Sequence, residues 1–385
     1  MDWHLITCEY PPESGGVSDY THSIASGLAA KGETVHVWCS SAGVERVDSV
    51  GVTVHRELGR IAPKDLRRVG RMLDQFPGPR RLLVQWVPHG YGYRSMNLPF
   101  CLWLWQRAKF RQDRVEIMVH EPFLAFGEGS TRQDLVAAVH RIMTIILLNA
   151  ARRVWVSIPD WGKRLRPFAF ERRDRVFGWL PVPSTIPVVD DPAGVMELRA
   201  RYAAHGEALV GHFGAYDPYM TKLMMEVVPL LLTRNDQLSI LFVGKGGLEL
   251  RNLLIRRHPD LAQRVHATGI QSSQDLSRHI SACHLMLQPY QDGVSGRRTS
   301  TMALLAHGAA VVSTIGKATE SCWTESGAVK LVKPADIDAM VEVTRSLLDD
   351  ADARCRLAAA AKALYDERFD VKRSITALCR MSDTL

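Results

Sequence analysis

The chain alternates short apolar runs with stretches whose apolar residues recur at helical spacing. Leu5-Ile6-Thr7-Cys8 reads as a first strand, followed by a Pro/Gly-rich loop and a helical pattern over about 18–31. Gly32 closes that helix, and Thr34-Val35-His36-Val37-Trp38 is the next strand. Leu82-Leu83-Val84-Gln85-Trp86, Glu116-Ile117-Met118-Val119-His120 and Arg153-Val154-Trp155-Val156 are further strands, with an apolar helix over 134–150. Such alternation predicts an α/β fold, its parallel sheet covered by helices on both faces.

Leu180-Pro181-Val182-Pro183-Ser184-Thr185-Ile186-Pro187 interrupts the series. Proline lacks the N–H that a helix interior or central strand requires, so this stretch is the expected linker. A second series follows, with strands at 209–213, 239–243, 284–288, 310–313 and 328–332 and closing helices from about 337, 351 and just beyond Phe369. At 385 residues the chain exceeds one ordinary domain. The expected organisation is a domain over 1–187, a second over 188–368, and a terminal helix over 369–385 that packs back on the first.

Composition narrows the function classes. Apolar residues at 46% and charged residues at 23% are a globular mixture. The balance of 48 basic against 41 acidic residues, +7, suits a phosphate-bearing partner or an anionic surface, though solvated arginines alone account for it. The basic residues are not interleaved with aromatics in a patch, so nucleic acid is not expected. The apolar runs read as too short to span a bilayer, and the start lacks a signal-peptide pattern. Seven scattered cysteines without CxxC spacing suggest neither a disulfide framework nor a zinc site, and a cytoplasmic setting is expected. The segment 98–111 joins Trp103, Trp105 and Phe110 to Arg107, Lys109 and Arg111. It reads as a buried helix with a basic end, or as a peripheral contact with a membrane surface.

Candidate chemistry lies in loops after strands, where parallel sheets bind ligands. Tyr10-Pro11-Pro12-Glu13-Ser14-Gly15-Gly16-Val17 joins the first strand to the first helix. Gly15 and Gly16 let backbone approach a ligand, and the helix N-terminus favours an anion; an ordinary strand-to-helix turn would look the same. His120-Glu121 closes a strand, and either residue could hydrogen-bond a ligand hydroxyl there. The most specific segment runs Gln288-Pro289-Tyr290-Gln291-Asp292-Gly293-Val294-Ser295-Gly296-Arg297-Arg298-Thr299-Ser300-Thr301 into a helix over 302–307, capped by Gly308. Consecutive N–H groups from Gly293, Val294, Ser295 and Gly296 would form a nest for a diphosphate. Arg297 and Arg298 add planar, permanently charged donors. Two arginines at a helix start oppose its dipole, a placement that an anion would relieve.

Tyr-Pro-Pro followed by Gly-Gly-Val, a helix, Gly32 and a Val-His-Val strand resembles the start of family 4 (group 1) retaining glycosyltransferases. The Asp292-to-Arg298 loop matches a variant subgroup carrying Asp-Gly-Val-Ser…Arg-Arg. The resemblance implies a GT-B fold, two Rossmann-like domains facing a central cleft, and transfer of a sugar from a nucleotide diphosphate sugar to an acceptor with retention of configuration. It places Gly15 and Gly16 beside donor phosphates and acceptor, His120 on the transferred sugar, and Gly269-Ile270 at the nucleobase. It implies no resident cofactor and no metal, so Asp336-Ile337-Asp338 is read as a helix cap rather than a metal motif. The chain departs from the family at two places. No glutamate opens the helix before Gly308, leaving Ser300 or Thr301 for the ribose. The arginine expected after the strand ending at Phe213 is also missing, leaving Lys222, with Arg297 and Arg298, to supply positive charge. The implied role is polysaccharide or glycoconjugate biosynthesis, with the acceptor open. The alternatives are a catalytically weak binding subunit and a nucleotide-sugar epimerase on the same fold.

Overall fold

A computed structural model of the chain describes residues 2–13, 15–40, 50–127, 129–170 and 177–380; Ser14 of the first loop lies outside them. The chain divides into two compact units, one of Met1–Pro181 with Val371–Leu385, the other of Val182–Asp370.

Unit 1 is built on strands β1 (Trp3–Ile6), β2 (Val35–Trp38), β3 (Val52–His55), β4 (Arg81–Trp86), β5 (Arg114–Val119), β6 (Arg153–Val156) and β7 (Phe177–Trp179). They form one parallel sheet in the order β3-β2-β1-β4-β5-β6-β7. Helices α1 (Gly16–Ala29), α2 (Pro63–Leu73), α3 (Leu98–Phe110), α4 (Thr131–Ala150) and α5 (Pro159–Leu165) connect the strands. Strands covered on both faces are mostly apolar, as in β1 and β4, where every residue is buried and only His4, Arg81 and Gln85 are polar. Helix α4, at 20 residues and mean hydropathy 1.2, has the length and composition to cross a membrane. It packs against α3, and His140, Met143, Thr144 and Leu147 are buried. In α3, Phe100, Trp103, Leu104 and Arg107 are buried, while Leu102 and Phe110 are exposed.

Unit 2 repeats the plan with β8 (Ala208–Phe213), β9 (Leu238–Val243), β10 (Val265–Ala267), β11 (Leu285–Gln288), β12 (Val311–Thr314) and β13 (Lys330–Val332), all parallel, in the order β10-β9-β8-β11-β12-β13. Its helices are α6 (Pro192–Tyr202), α7 (Pro218–Arg234), α8 (Gly247–Arg257), α9 (Ser273–Ala282), α10 (Thr299–Ala306), α11 (Ser321–Glu325), α12 (Ile337–Asp349) and α13 (Ala351–Leu364). Helix α10 starts at Thr299, three residues before the expected 302, with Arg298 at its N-cap. Gly308, at φ +62, ends the turn that follows it. Asp336 caps α12 by accepting from Ala339 N at 3.0 Å.

The last helix, α14 (Val371–Arg380), returns to unit 1 and packs on α1. A Cβ on Gly27 would lie 2.8 Å from the Ile375 side chain, so glycine permits the close approach. Buried Arg81 donates from Nε to Glu116 Oε1 at 2.7 Å and from Nη2 to the Leu378 carbonyl at 3.1 Å. Trp155 Nε1 holds the other Glu116 oxygen at 2.7 Å. Both oxygens of the buried carboxylate are thus engaged, the condition under which burying its charge is tolerable.

Candidate functional site

In a doubly wound sheet the crevice forms where strand order reverses, at the carboxyl ends of the two strands flanking the reversal. Those strands are β1 and β4 in unit 1 and β8 and β11 in unit 2. In unit 2 the reversal is bridged by Gln288, the buried last residue of β11. Its Oε1 accepts from Phe213 N at 3.2 Å and its Nε2 donates to the Phe213 carbonyl at 2.9 Å.

The loop after β11 folds over this point. Tyr290 OH lies 2.8 Å from Ser300 Oγ and 2.7 Å from Thr301 Oγ1, and its N–H donates to Thr314 Oγ1 at 2.7 Å. Thr301 is thus wholly buried against Tyr290, while Ser300 is half-buried at the same hydroxyl. Gly293 has φ +88, and a Cβ there would fall on Gly316 and within 2.8 Å of its Cα. Only glycine satisfies both demands. The expected N–H nest has a different geometry. Gly293 N donates to the Tyr290 carbonyl at 3.2 Å, Val294 N to the Thr314 carbonyl at 2.8 Å, and Gly296 N to Glu320 Oε1 at 3.0 Å. Ser295 is buried beside them. Glu320 also accepts from Trp323 Nε1 at 2.8 Å, and burial pushes its carboxyl above the usual range.

Both arginines of this loop are engaged. Arg297 Nη2 donates to Asp292 Oδ2 at 2.8 Å, and Arg298 Nη2 donates to Asp292 Oδ1. Arg298 also lies over the Tyr290 ring, 4.5 Å from its centroid. Burial works against ionisation of Asp292, but Arg298 and Arg297 outweigh it and hold the carboxyl below its ordinary value. Two guanidinium groups fixed on one carboxylate retain one net positive charge in a fixed position.

A cavity of about 500 Å³ opens beside this cluster, lined by Asp217, Tyr219, Tyr290, Asp292, Arg298 and Lys317 among others. Lys222 is exposed on α7 and is not part of that lining. Gly269, at φ +69, and Ile270, 78% exposed, follow edge strand β10, three strands from β11. The structure therefore brings together the residues from Asp292 to Thr301 and leaves Lys222, Gly269 and Ile270 outside that cluster.

In unit 1, His120 follows β5 and Gln85 lies near the end of β4. His120 Nε2 is 2.9 Å from Gln85 Oε1 and its ring meets Tyr20 edge-on at 4.8 Å. With the Gln85 carboxamide oxygen as acceptor, the contact calls for a proton on His120 Nε2. Burial pushes its pKa down to about 3. Glu121 is 54% exposed at its side chain and faces His89 Nδ1 at 3.6 Å. The first loop also differs from expectation. Glu9 Oε1 accepts from Val17 N at 3.1 Å and Ser18 N at 3.0 Å, so an internal carboxylate occupies the start of α1. A Cβ on Gly15 would fall on that carboxylate, whereas Gly16 faces open space.

Lys317, Glu320 and Glu9 escape a reading of the sequence because they sit in loops without a distinctive pattern. Gln85 and Gln288 leave a signal: each is a polar residue near the carboxyl end of an apolar strand. Among the described residues no group of three or more His, Cys, Asp or Glu side chains is placed to hold a metal ion.

Residues 207–350 match the family model described as Glycosyl transferases group 1. No curated protein matches the chain significantly. Among solved structures, a glycosyltransferase from Rickettsia africae matches with a TM-score of 0.74 at 13% identity, over 99% of this chain and 97% of that one. Anabaena HepE, solved in complex with UDP, matches with a TM-score of 0.70 at 14% identity over 100% of both chains. Sucrose-phosphate synthase from Thermosynechococcus elongatus matches with a TM-score of 0.69 at 15% identity, over 100% of this chain and 99% of that one. The two parallel α/β units are of the GT-B fold.

Proposed function

We propose that this chain is a glycosyltransferase that moves a sugar from a nucleoside diphosphate sugar to a glycan, lipid-linked or small-molecule acceptor, with retention of configuration. One observation carries the reading: a fixed, net-positive Arg297–Asp292–Arg298 cluster stands at the strand-order reversal of unit 2, within the segment that matches the family model. The bond that breaks joins the anomeric carbon to the diphosphate, and negative charge collects on the departing diphosphate. Cations already held in place stabilise that charge without reorganising, the largest kind of term in enzyme catalysis. His120, neutral and oriented by Gln85, is the proposed partner of a sugar hydroxyl. The acceptor attacks the face the diphosphate leaves, and the leaving phosphate oxygen takes its proton. No resident metal or cofactor is assigned a step.

Leu102 and Phe110 are exposed on α3 near Lys109 and Arg111, which supports a peripheral contact with an anionic membrane near a lipid-linked acceptor. Co-flotation with anionic but not neutral vesicles tests this contact.

Thermal unfolding with UDP, GDP, ADP and TDP tests the main reading. A ligand at a hundred times its dissociation constant adds about 2.7 kcal/mol of stability. One of the four is expected to stabilise the wild type and to lose that effect in the Arg297→Ala, Arg298→Ala double variant. The matching sugar nucleotide then serves for transfer and for assigning the product anomer by NMR. No stabilisation by any nucleotide would overturn the reading in favour of a binding subunit.

A further inference from the structure

The cavity beside Asp292 holds two aspartates and two cations, and three of the four charges are already committed. Asp217 spends Oδ1 on the first turn of α7, accepting from Met220 N at 2.7 Å. Asp292 is held by Arg297 and Arg298, so Arg298 enters the cavity as half of an ion pair. Lys317 is different. It is exposed on the loop after β12, lines the cavity, and makes no ion pair among the described residues.

Its position is set by the backbone. Ala318 N donates to the Asp292 carbonyl at 2.9 Å, and Gly316 N donates to Thr319 Oγ1 at 3.0 Å. A Cβ on Gly316 would lie 2.6 Å from the Asp292 carbonyl carbon and 2.8 Å from Gly293 N. The turn that carries Lys317 is therefore clamped to the loop that carries the arginine pair. A lysine is a compact, mobile point charge on a long stem, suited to following phosphate oxygens, whereas the arginines here are fixed by their shared carboxylate.

We infer that Lys317 is the mobile cation of a diphosphate subsite in unit 2, contacting the phosphates of a nucleoside diphosphate alongside Arg298. This rests on the glycosyltransferase reading, and it assigns to the loop after β12 the charge that the sequence had left to Lys222. The ammonium gains an anionic partner when ligand binds, and the charge-assisted hydrogen bond is added without displacing Asp292 from its arginines.

Titration calorimetry with UDP, GDP, ADP, TDP and inorganic pyrophosphate separates the possibilities. The wild type should bind one nucleoside diphosphate and pyrophosphate. Lys317→Ala should weaken both by about tenfold or more. The same variant should bind the parent nucleoside unchanged, Lys317→Arg should restore most of the loss, and Lys330→Ala, at the exposed start of β13, should bind as the wild type does. Equal diphosphate affinity in Lys317→Ala and wild type would overturn the Lys317 assignment while leaving the proposed function standing. Failure of the wild type to bind any of the nucleoside diphosphates would overturn the proposed function itself, and the Lys317 assignment with it. Loss of nucleoside affinity in step with diphosphate affinity would also overturn it, because it would mark a disturbed fold.

Discussion

Gln85 Oε1 and His120 Nε2 stand 2.9 Å apart, and this contact decides what His120 can do. With Gln85 Oε1 as acceptor, the contact calls for a proton on Nε2 and leaves Nδ1 to accept, and burial pushes the pKa down to about 3, which keeps the ring neutral. A histidine in this state offers a fixed hydrogen bond and does not shuttle protons near neutrality. Its NMR signals should show the Nε2–H tautomer and no titration between pH 5 and 8. The corresponding kcat/KM profile should have no step near 6.5 that His120→Ala removes. His120→Ala itself should lower turnover by about tenfold, the worth of one neutral hydrogen bond. A ring that titrates near 6.5 would refute the neutral role.

Gly293 cannot be replaced without moving the loop that carries Asp292. Its φ of +88 is strained for any L-residue, and the added methyl would meet the Gly316 backbone. Gly293→Ala should cost at least about 2 kcal/mol of stability in urea unfolding. It should also abolish stabilisation by nucleoside diphosphate under conditions where the protein remains folded. A variant with wild-type nucleotide affinity would show that this clamp does not shape the site.

Unit 1 should weaken in acid. His4 is wholly buried, accepts at Nδ1 from Trp38 Nε1 at 3.2 Å, and stacks on His36, whose Nδ1 lies 3.1 Å from His55 Nε2. Burial, then His36 and His55, push its pKa down to about 3; burial and His36 push His55 down to about 4. Between the unfolded value of 6.5 and these folded values the unfolded chain binds more protons, so stability falls as pH drops below 6.5 and levels off below the folded values. At pH 5 the loss from His4 alone is about 2 kcal/mol, 1.5 units at 1.36 kcal/mol each. Urea unfolding from pH 7.5 to 4.5 measures the slope, and His4→Phe should flatten it.

Arg81 links the C-terminal helix to the sheet of unit 1. Arg81→Met removes the partner of buried Glu116 and the donor to the Leu378 carbonyl. The uncompensated carboxylate should cost about 3–5 kcal/mol. Hydrogen exchange should accelerate in Val371–Arg380 before it does in the helices of unit 2. Unchanged protection in that helix would place its anchorage elsewhere, on the Gly27–Ile375 contact.

The central strands were legible because burial on both faces demands mostly apolar runs: β4 and β9 are each within one residue of their expected bounds. Of the four edge strands, only β13 was. Val52–His55, Phe177–Trp179 and Val265–Ala267 are short and half-buried, so selection for apolar residues is weaker there. At the candidate site the glycines and arginines of the 292–298 loop stood out by residue type. Their pairing with Asp292 did not, because it depends on side-chain directions in a loop without period. Lys317 lies 25 residues from Asp292 in sequence and reaches the same cavity only because β11 and β12 are neighbours in the sheet.

The return of the last helix to unit 1 also sets an order of events during synthesis. Unit 2 is a single uninterrupted stretch, so its sheet can close as soon as Asp370 has left the ribosome. Unit 1 is begun first but cannot be finished before unit 2 has been made, since α14 follows Asp370 in the chain. Until it arrives, the surface of α1 around Gly27 and the Nη2 donor of Arg81 lack the partners seen in the finished fold. Chains normally fold their amino-terminal domain first as they emerge at about 5–20 residues per second. Here unit 1 cannot be completed until the whole of unit 2 has been synthesised.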